Sequence, residues 1–457
     1  MFREYDLRGR ESEDELNIES VYHIGRGFGA YLSKNNVKET VVGHDARSTS
    51  EEFHSSVVRA LLESGINVKD IGLVTTPMSY WAQFYLKTDG LVMVTASHNP
   101  VGWNGVKLGK VMGKTLLTDE IKEVYSTTEK EEYVNGDGKV EKVDIKEEYM
   151  KDLLSRASIA KKFKVLVNTG NGTAGLFYPE LLKRTGCEIV EHFTNVDPTY
   201  PNYTANPDGT VMMEDTGKQT VENKCDLGFA FDGDGDRLGI VDEKGETIWP
   251  DRWIILLSRL VLSKHPGAKI VFDVKVSEAL PEDIKAHGGI PIMWKTGHSY
   301  IKAKLAEENA AMAGEMSGHI FFVDDFYGFD DGAFAALKFL EYMSTQDKPL
   351  SELIASTPYY VSTPTIQVTT TDEEKYKIVD TLVAEFKKEG YKMIDINGAR
   401  VYIDGGWGLV RASSNQPTLV LRFEGKTEEE LEKIKKVFKD KLDKFDSVSK
   451  DWDTTGH

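Results

Sequence analysis

The stretch Val165-Leu166-Val167-Asn168-Thr169-Gly170-Asn171-Gly172 is an apolar run that stops at a polar turn punctuated by glycine. A short β-branched run ending this way reads as a buried strand leaving its sheet. A helical segment through Leu181 and Leu182 follows, and then a second apolar segment at 188–190. Strand, turn, helix and strand within roughly 20–25 residues make a βαβ unit, whose crossover forces parallel pairing. The same plan occurs twice more. Thr40-Val41-Val42 ends in Gly43-His44-Asp45, passes a helix through Val58 and Leu62, and reaches a strand at 66–68. Ile270-Val271-Phe272 ends in Asp273-Val274-Lys275, passes a helix, and reaches a strand at 290–292. Units so far apart predict three similar α/β domains and not a short-period repeat. After Thr365 the order becomes strand, helix, strands, helix, with a final amphipathic helix over 427–445, which predicts a small α+β domain. The expected boundaries are 1–143, 144–248, 249–361 and 362–457. The tail from Ser447 has little to bury and is expected to fray.

A chain of 457 residues exceeds one ordinary core, in keeping with several domains. With 56 basic and 74 acidic residues the net charge is −18, and no basic cluster offers a footprint for nucleic acid. An anionic small substrate therefore needs a locally positive site built from the few Arg, Lys and His residues in loops. Cys187 and Cys225 sit in apolar surroundings and read as buried small hydrophobes. The first 15 residues are highly charged and lack the apolar core of a signal peptide. The most apolar run, 253–262, is interrupted by Ser258 and Arg259 and is too short to span a bilayer. A cytoplasmic protein with no membrane partner is expected. Gly25-Arg26-Gly27-Phe28-Gly29 imitates a dinucleotide fingerprint, but it lies inside helical periodicity set by Val21, Tyr22, Phe28 and Leu32 and is rejected. Nothing in the sequence points to one oligomeric state.

Four loops carry candidate chemistry. Thr95-Ala96-Ser97-His98-Asn99-Pro100 follows the apolar Leu91-Val92-Met93-Val94 and runs through Gly102 and Gly105 to Lys107. It presents one hydroxyl at the mouth of a sheet with a histidine beside it. A hydrolase serine prefers a Gly-x-Ser-x-Gly elbow, which Ala96-Ser97-His98 is not, so a phosphoryl carrier outranks an acyl carrier. Asp232-Gly233-Asp234-Gly235-Asp236-Arg237 alternates carboxylates with glycines, which let the loop curl until the three acids converge on a hard divalent cation. An EF-hand is the alternative, with Glu243 at the last ligand position. That loop needs glycine at its sixth position, where this chain has Arg237, and 238–241 reads as a returning strand. Three carboxylates leave Mg²⁺ short of ligands, so an oxygen from elsewhere, such as a phosphoryl group, has room. Gly314-Glu315-Met316-Ser317-Gly318-His319, placed after an Ala-rich helix, suits a grip on sugar hydroxyls. Arg411-Ala412-Ser413-Ser414-Asn415 combines a guanidinium fork with hydroxyl and amide donors, a set that fits phosphate.

Taken together these loops resemble the active-site loops of the α-D-phosphohexomutases, most closely the phosphomannomutase/phosphoglucomutase branch. The resemblance covers nearly the whole chain, and Trp294-Lys295-Thr296-Gly297-His298-Ser299 matches the same branch. It implies four domains arranged in a heart around a central cleft, and interconversion of hexose 6-phosphates and hexose 1-phosphates of mannose, glucose or both. The implied route runs through a phosphoserine at Ser97 and a hexose 1,6-bisphosphate that also serves as activator. It implies Mg²⁺ held by Asp232, Asp234, Asp236 and the Ser97 phosphoryl group. Charge on the transferring group would be offset by Lys107 and Arg237, with His98 as a further contributor. Lys107 and Arg8, with His298 or His319, are the candidates for proton transfer. Tyr5 and Arg8 would lie at the cleft rim, Glu315 and Ser317 would hold sugar hydroxyls, and His319 and Lys275 would contact substrate. Arg411, Ser413, Ser414 and Asn415 would bind the phosphate that is not reacting. The family more often reads Arg-Ala-Ser-Asn-Thr in that loop, so Ser414 and Asn415 keep the donor types in a changed order. A second departure, Tyr203-Thr204-Ala205-Asn206, is expected to lie away from the chemistry. The nearest rival is a phosphoglucosamine mutase. A phosphatase using Ser97 and metal, and a silent sugar-phosphate binding protein, are the rivals from other classes.

Overall fold

In the computed structural model, residues 6–414 and 416–452 are described, and the chain divides into two compact units. One contains residues up to Pro207, Val211–Ile248 and Ser317–Ser351; the other contains Asp208–Thr210, Trp249–Met316 and the chain from Glu352 onward.

The first unit holds two sheets. Strands β1 (Leu7–Arg10), β2 (Glu39–His44), β3 (Asn67–Leu73), β4 (Gly90–Val94), β5 (Trp103–Gly109) and β6 (Val140–Lys142) pair in the order β1-β5-β4-β2-β3-β6. The β2–β3, β2–β4 and β3–β6 pairs are parallel, whereas β5 lies antiparallel to β4 and β1. β7 (Lys164–Asn168), β8 (Glu188–His192), β9 (Leu227–Phe231), β10 (Leu238–Asp242) and β11 (Thr247–Ile248) form the second sheet, in the order β11-β10-β9-β7-β8. β7 is parallel to both its neighbours, and β10 returns antiparallel to β9, as its sequence suggested. Every residue of β4, β9 and β10 is buried, which explains their unbroken apolar sequence: strands covered on both faces have no solvent side to mark. The rejected fingerprint lies within the helix Ile18–Lys34, which Asn17 caps through bonds to Glu19 N and Ser20 N at 3.0 Å each. Such a cap stabilises a helix by about 1 kcal/mol. β15 (Ile320–Phe322) and the buried helix Gly332–Ser344, capped by Asp331, complete this unit.

In the second unit β12 (Lys269–Asp273) lies between β13 (Ile290–Trp294) and β14 (Met312–Gly314), all parallel. All three βαβ units anticipated above are thus present with parallel pairing. The remaining strands are antiparallel. β16 (Val361–Ser362), β18 (Met393–Ile394), β19 (Ala399–Ile403), β20 (Gly406–Ala412) and β21 (Thr418–Gly425) run in the order β16-β21-β20-β19-β18, and β17 (Ile366–Thr369) also pairs with β21. Helices Lys375–Lys388 and Glu428–Leu442 supply Ile378, Leu382, Phe386, Ile434 and Phe438 to one core with this sheet, giving the expected α+β domain. No helix among the described residues is long and apolar enough to cross a membrane; the apolar run at 253–262 is part of the buried helix Pro250–Lys264.

Leu7–Arg10 has no strand pattern of its own and is a strand because β5 offers it a full antiparallel edge from Leu7↔Val106 to Arg10↔Trp103. Two local expectations need correction. The Ala-rich segment before Gly314 is not one helix: the helix His298–Glu308 ends at Asn309 in a left-handed cap, φ 50°, and Ala313 lies in β14. The tail does not fray where it is described. Val448 joins the last domain's core, and the Trp452 ring stacks on Phe423 with centroids 5.9 Å apart. Two aromatic surfaces removed from water outweigh the ordering entropy of a few residues.

Candidate active site

Ligands of open α/β sheets bind beyond the carboxyl ends of the strands, and the candidate residues of the first unit sit there. β4 leads into Thr95 and Ser97, β2 into Asp45 and Arg47, and β9 into Asp232. Ser97 has φ 51°, a left-handed conformation that disfavours any residue with a Cβ. Its surroundings hold it there. Thr95 Oγ1 accepts from Ser97 N at 2.9 Å, and Arg47 donates to the carbonyl of Ser97 at 2.7 Å. The same Arg47 donates to the carbonyls of Asn99 at 2.6 Å, Trp103 at 3.0 Å and Pro100 at 3.1 Å. Arg8 braces the loop from β1, bonding Asn99 Oδ1 at 2.7 Å and Asp6 at 2.9 Å. On the far side Gly233 closes the fit, since a Cβ there would stand 2.5 Å from the Ser97 carbonyl oxygen. Such an over-determined, strained serine is a pattern of functional sites.

The hydroxyl so presented donates to Asp232 Oδ2 at 2.8 Å and lies 3.1 Å from His98 Nδ1. The Asp loop curls as expected, with Gly235 at φ 79°, and brings ligand oxygens of Asp232, Asp234 and Asp236 within 4.8 Å of one another, all fully buried. Glu243, the residue an EF-hand would use, instead bonds Ser351, so that alternative fails. Lys107 reaches from β5 to Asp234 at 3.0 Å and Asp236 at 2.6 Å. Thr76 and Thr95 hydroxyls donate to Asp234 at 2.6 and 3.1 Å. Burial, and then the charges of Asp236 and Asp234, push the Asp232 carboxyl well above its ordinary range. Burial and the Asp236 charge also act to raise Asp234, but Lys107 and Thr76 outweigh them and it ends below its usual value. Asp236 is held well below despite burial, by Lys107, His319 and Arg237. Burial alone would discharge Lys107; Asp234 and Asp236 reverse that and keep it an ammonium.

A divalent cation fits this donor set. The carboxylates converge, and Asp234 Oδ1 has no hydrogen-bond partner among the described residues, so oxygen ligands of the kind a hard cation takes are gathered at one point. His319 Nε2 lies 3.3 Å from both Asp236 Oδ1 and Arg237 Nε, and its Nδ1 is 2.9 Å from Ser317 Oγ. A bridge between Arg237 and His319 ties these two loops together. The His98 ring has its pKa held well below normal, by burial first and then by the Arg237 and Arg8 guanidinium groups. It is therefore a neutral acceptor or donor beside Ser97.

In the second unit Lys275 follows β12 and lies 3.7 Å from Asp273, whose oxygens also take bonds from Thr296 Oγ1 at 3.0 Å and Met316 N at 3.4 Å. Glu315 accepts from Gly297 N at 2.7 Å, next to His298, which begins its helix and is buried. Arg411, at the end of β20, is 6% exposed; its outer nitrogen bonds Ser414 Oγ at 3.4 Å, while its Nε has no hydrogen-bond partner among the described residues. Ser413 anchors the same turn through its amide to Thr418 O at 3.0 Å. Tyr5 and Asn415 lie outside the described residues.

Sequence reading missed Arg47, Thr76 and Thr95, which shape the serine and metal loops. Arg47 had a usable signal, two residues beyond the Gly43-His44-Asp45 strand end. One placement was wrong: the Tyr203–Asn206 stretch does reach the chemistry, because the Ala205 carbonyl accepts from Gly233 N at 3.2 Å, inside the metal loop.

Four family models match the chain in order: phosphoglucomutase/phosphomannomutase alpha/beta/alpha domain I over residues 1–135, domain II over 147–245, domain III over 249–360 and the C-terminal domain over 366–441. A phosphomannomutase/phosphoglucomutase of Pseudomonas putida is 41% identical over 442 residues, covering 97% of this chain and 95% of its own. A phosphoglucomutase of Neisseria meningitidis serogroup A is 38% identical over 443 residues, with 96% of each covered. The crystal structure of a phosphoglucomutase/phosphomannomutase family protein from Burkholderia thailandensis superposes with a TM-score of 0.91 at 36% identity, covering 97% of both chains. With a strained serine facing three buried aspartates, and all four domain models matched in sequence, the chain belongs to the phosphoglucomutase/phosphomannomutase family.

Proposed function

We propose that the chain is a phosphohexomutase, an isomerase that interconverts hexose 6-phosphate and hexose 1-phosphate, with mannose and glucose phosphates as its substrates. The observation that carries this reading is the Ser97 hydroxyl, 2.8 Å from Asp232 on a loop that Arg47 and Gly233 hold in a left-handed conformation. In this reading phosphorylated Ser97 gives its phosphoryl group to the free hydroxyl of the bound sugar phosphate, forming a hexose 1,6-bisphosphate. The other phosphoryl group then returns to Ser97, so the same bisphosphate activates unphosphorylated enzyme.

Asp232, Asp234, Asp236 and an oxygen on Ser97 are the residues to hold Mg²⁺. That ion would neutralise charge on the transferring group, the main demand of phosphoryl transfer. Lys107 and Arg237 add positive charge beside it, and Arg8 fixes the loop while presenting its guanidinium towards His98. His319, joined to Asp236 and Ser317, is the better placed proton carrier of the first unit, and His298 is the candidate of the second. Glu315 and Ser317 grip sugar hydroxyls, and Lys275 contacts substrate. Arg411, Ser413, Ser414 and Asn415 take the phosphate that is not reacting; the unused donor on Arg411 supports that role. The metabolite class of the substrate supports a cytoplasmic setting.

The test is a coupled assay of mannose 1-phosphate, glucose 1-phosphate and a 2-amino sugar phosphate, each with catalytic bisphosphate. Isomerisation of mannose 1-phosphate or glucose 1-phosphate is the expected result; release of free phosphate, or turnover of only the 2-amino sugar phosphate, would replace this reading by a phosphatase or a phosphoglucosamine mutase.

A further inference from the structure

Within the second unit, the loop that carries Lys275 is gripped by arginines from the last domain. Arg400, on β19, donates to the carbonyls of Val274 and Val276 at 2.7 Å each, its guanidinium stacked 3.6 Å above the Trp407 ring. Arg422, on β21, donates to the carbonyl between them, that of Lys275 itself. Three consecutive carbonyls on one non-helical turn are thus satisfied by two side chains from another domain. Arg422 does more than this. Its NH1 also reaches Met316 Sδ at 3.0 Å, in the loop between Glu315 and Ser317, and its Nε faces the carbonyl of Thr363 at 3.4 Å, in the segment that joins the two domains. Its NH2 pairs with Asp251 at 2.8 Å, and the same carboxylate oxygen accepts from Ser277 N at 3.0 Å. Arg422 is 2% exposed and Asp251 is 1% exposed, so neither side chain has free reach to a ligand. In register, Arg422 stands opposite Leu409 on β20, two residues before Arg411.

We infer that Arg422, assisted by Arg400, is a positioning residue that fixes Lys275 and the Glu315-Met316 loop to the sheet bearing Arg411, so that sugar and phosphate contacts are set in one rigid frame. A hydrophobic contact could join two domains, but only a planar fork with five donors can engage a carbonyl, a thioether, a linker carbonyl and a carboxylate at once. Precise spacing matters because a bound substrate misplaced by about 1 Å can lose a hundredfold in rate. This inference rests on the reading of Lys275 as a substrate contact, and the test separates the two.

Arg422→Lys keeps a cation for Asp251 but cannot span the remaining partners. In the coupled assay it is expected to raise KM for glucose 1-phosphate and mannose 1-phosphate and to lower kcat/KM by about tenfold. Phosphate content at Ser97, read by intact mass, should stay near wild type, while Tm falls by a few degrees because buried carbonyls lose their donor. Lys275→Met should impair the same step, and in that background Arg422→Lys should add less than about twofold, because a positioner acts only through what it positions. If Arg422→Lys does not fold, Arg422→Met with Asp251→Leu removes both buried charges together and is measured the same way. Kinetics within about twofold of wild type for a folded Arg422 variant, while Lys275→Met is impaired, would overturn the positioning role. So would a full additive loss in the double variant. If Lys275→Met is itself kinetically silent, the substrate contact fails, and the inference fails with it.

Discussion

Lys107, within β5, and Arg411, at the end of β20, are both buried cations, yet they are engaged in opposite ways. Lys107 lies between Asp234 and Asp236 with two short ion pairs, so its donors are already engaged. Among the described residues Arg411 has one long bond to Ser414, and its Nε has no hydrogen-bond partner. A group whose donors are occupied serves preorganisation, because its field is fixed before substrate arrives. A group whose donors are unused is held for something that comes and goes. The contrast supports the proposed division, with chemistry at the serine and aspartate loops and reversible phosphate capture at the β20 loop, and each half can be broken separately.

The largest effect is expected at the serine. Ser97→Ala should reduce mutase turnover on the order of a thousandfold or more, with the fold intact and no phosphopeptide at that loop. Activity retained, or phosphate mapped elsewhere, would remove Ser97 from the chemistry. Chelation should come next. A strong chelator should abolish turnover, and added Mg²⁺ should restore it, while circular dichroism stays unchanged, because the three carboxylates belong to one loop that Lys107 still partly neutralises. Unfolding on chelation would make the metal structural.

Arg411→Ala should leave Ser97 phosphorylation intact and lower kcat/KM for both sugars by roughly tenfold or more, the cost of a charge-assisted contact worth about 1.5–3 kcal/mol. A loss under about twofold would mean that the unused donor is incidental.

The smallest effect sharpens the contrast from the stability side. Asp331 caps the helix Gly332–Ser344 and accepts from Tyr149 at 2.8 Å, and burial pushes its carboxyl up to about 7. A folded pKa above the unfolded one means the native state holds a proton that the unfolded chain has released. That stabilisation is complete below the unfolded pKa of about 4 and is lost as pH rises through about 7. Asp331→Asn keeps a capping oxygen and no longer titrates, so it should raise Tm by a few degrees at about pH 8 and by less at about pH 5. Equal shifts at both values would show that Asp331 is ionised throughout.

What could be read from sequence was what local rules control. The three parallel βαβ units follow from apolar runs that stop at polar or glycine-bearing turns, and the curl of the Asp loop follows from its alternating glycines. The N-terminal strand was illegible because Leu7-Arg8-Gly9-Arg10 has no strand pattern of its own; the edge of β5 imposes it. Trp452 reads as a lone aromatic until Phe423 is known to lie beneath it. Arg422 was hidden more deeply. In Leu419-Val420-Leu421-Arg422-Phe423 a single charge in an apolar strand reads as a solvent-side residue, and only the buried partner Asp251, far away in sequence, reverses that. The changed order of Ser414 and Asn415 is half placed: Ser414 bonds Arg411, and Asn415 lies outside the described residues.

The discontinuity of the first unit has a consequence for how the chain is made. Its segments end at Ile248 and resume at Ser317, finishing at Ser351. The metal loop is synthesised with the earlier segments, but His319 and the helix Gly332–Ser344 belong to the later one. Roughly 100 further residues must leave the ribosome before that unit can close, on the order of 5–20 s at ordinary elongation rates. For that interval the Gly332 contact to the Gly235 carbonyl is missing, and the surfaces that the helix Gly332–Ser344 buries stay open to water and to other nascent chains. Chains arrested between Ile248 and Ser317 should therefore be the form most dependent on chaperones, whereas the last domain, contiguous from about Val361 onward, emerges ready to collapse as a single piece.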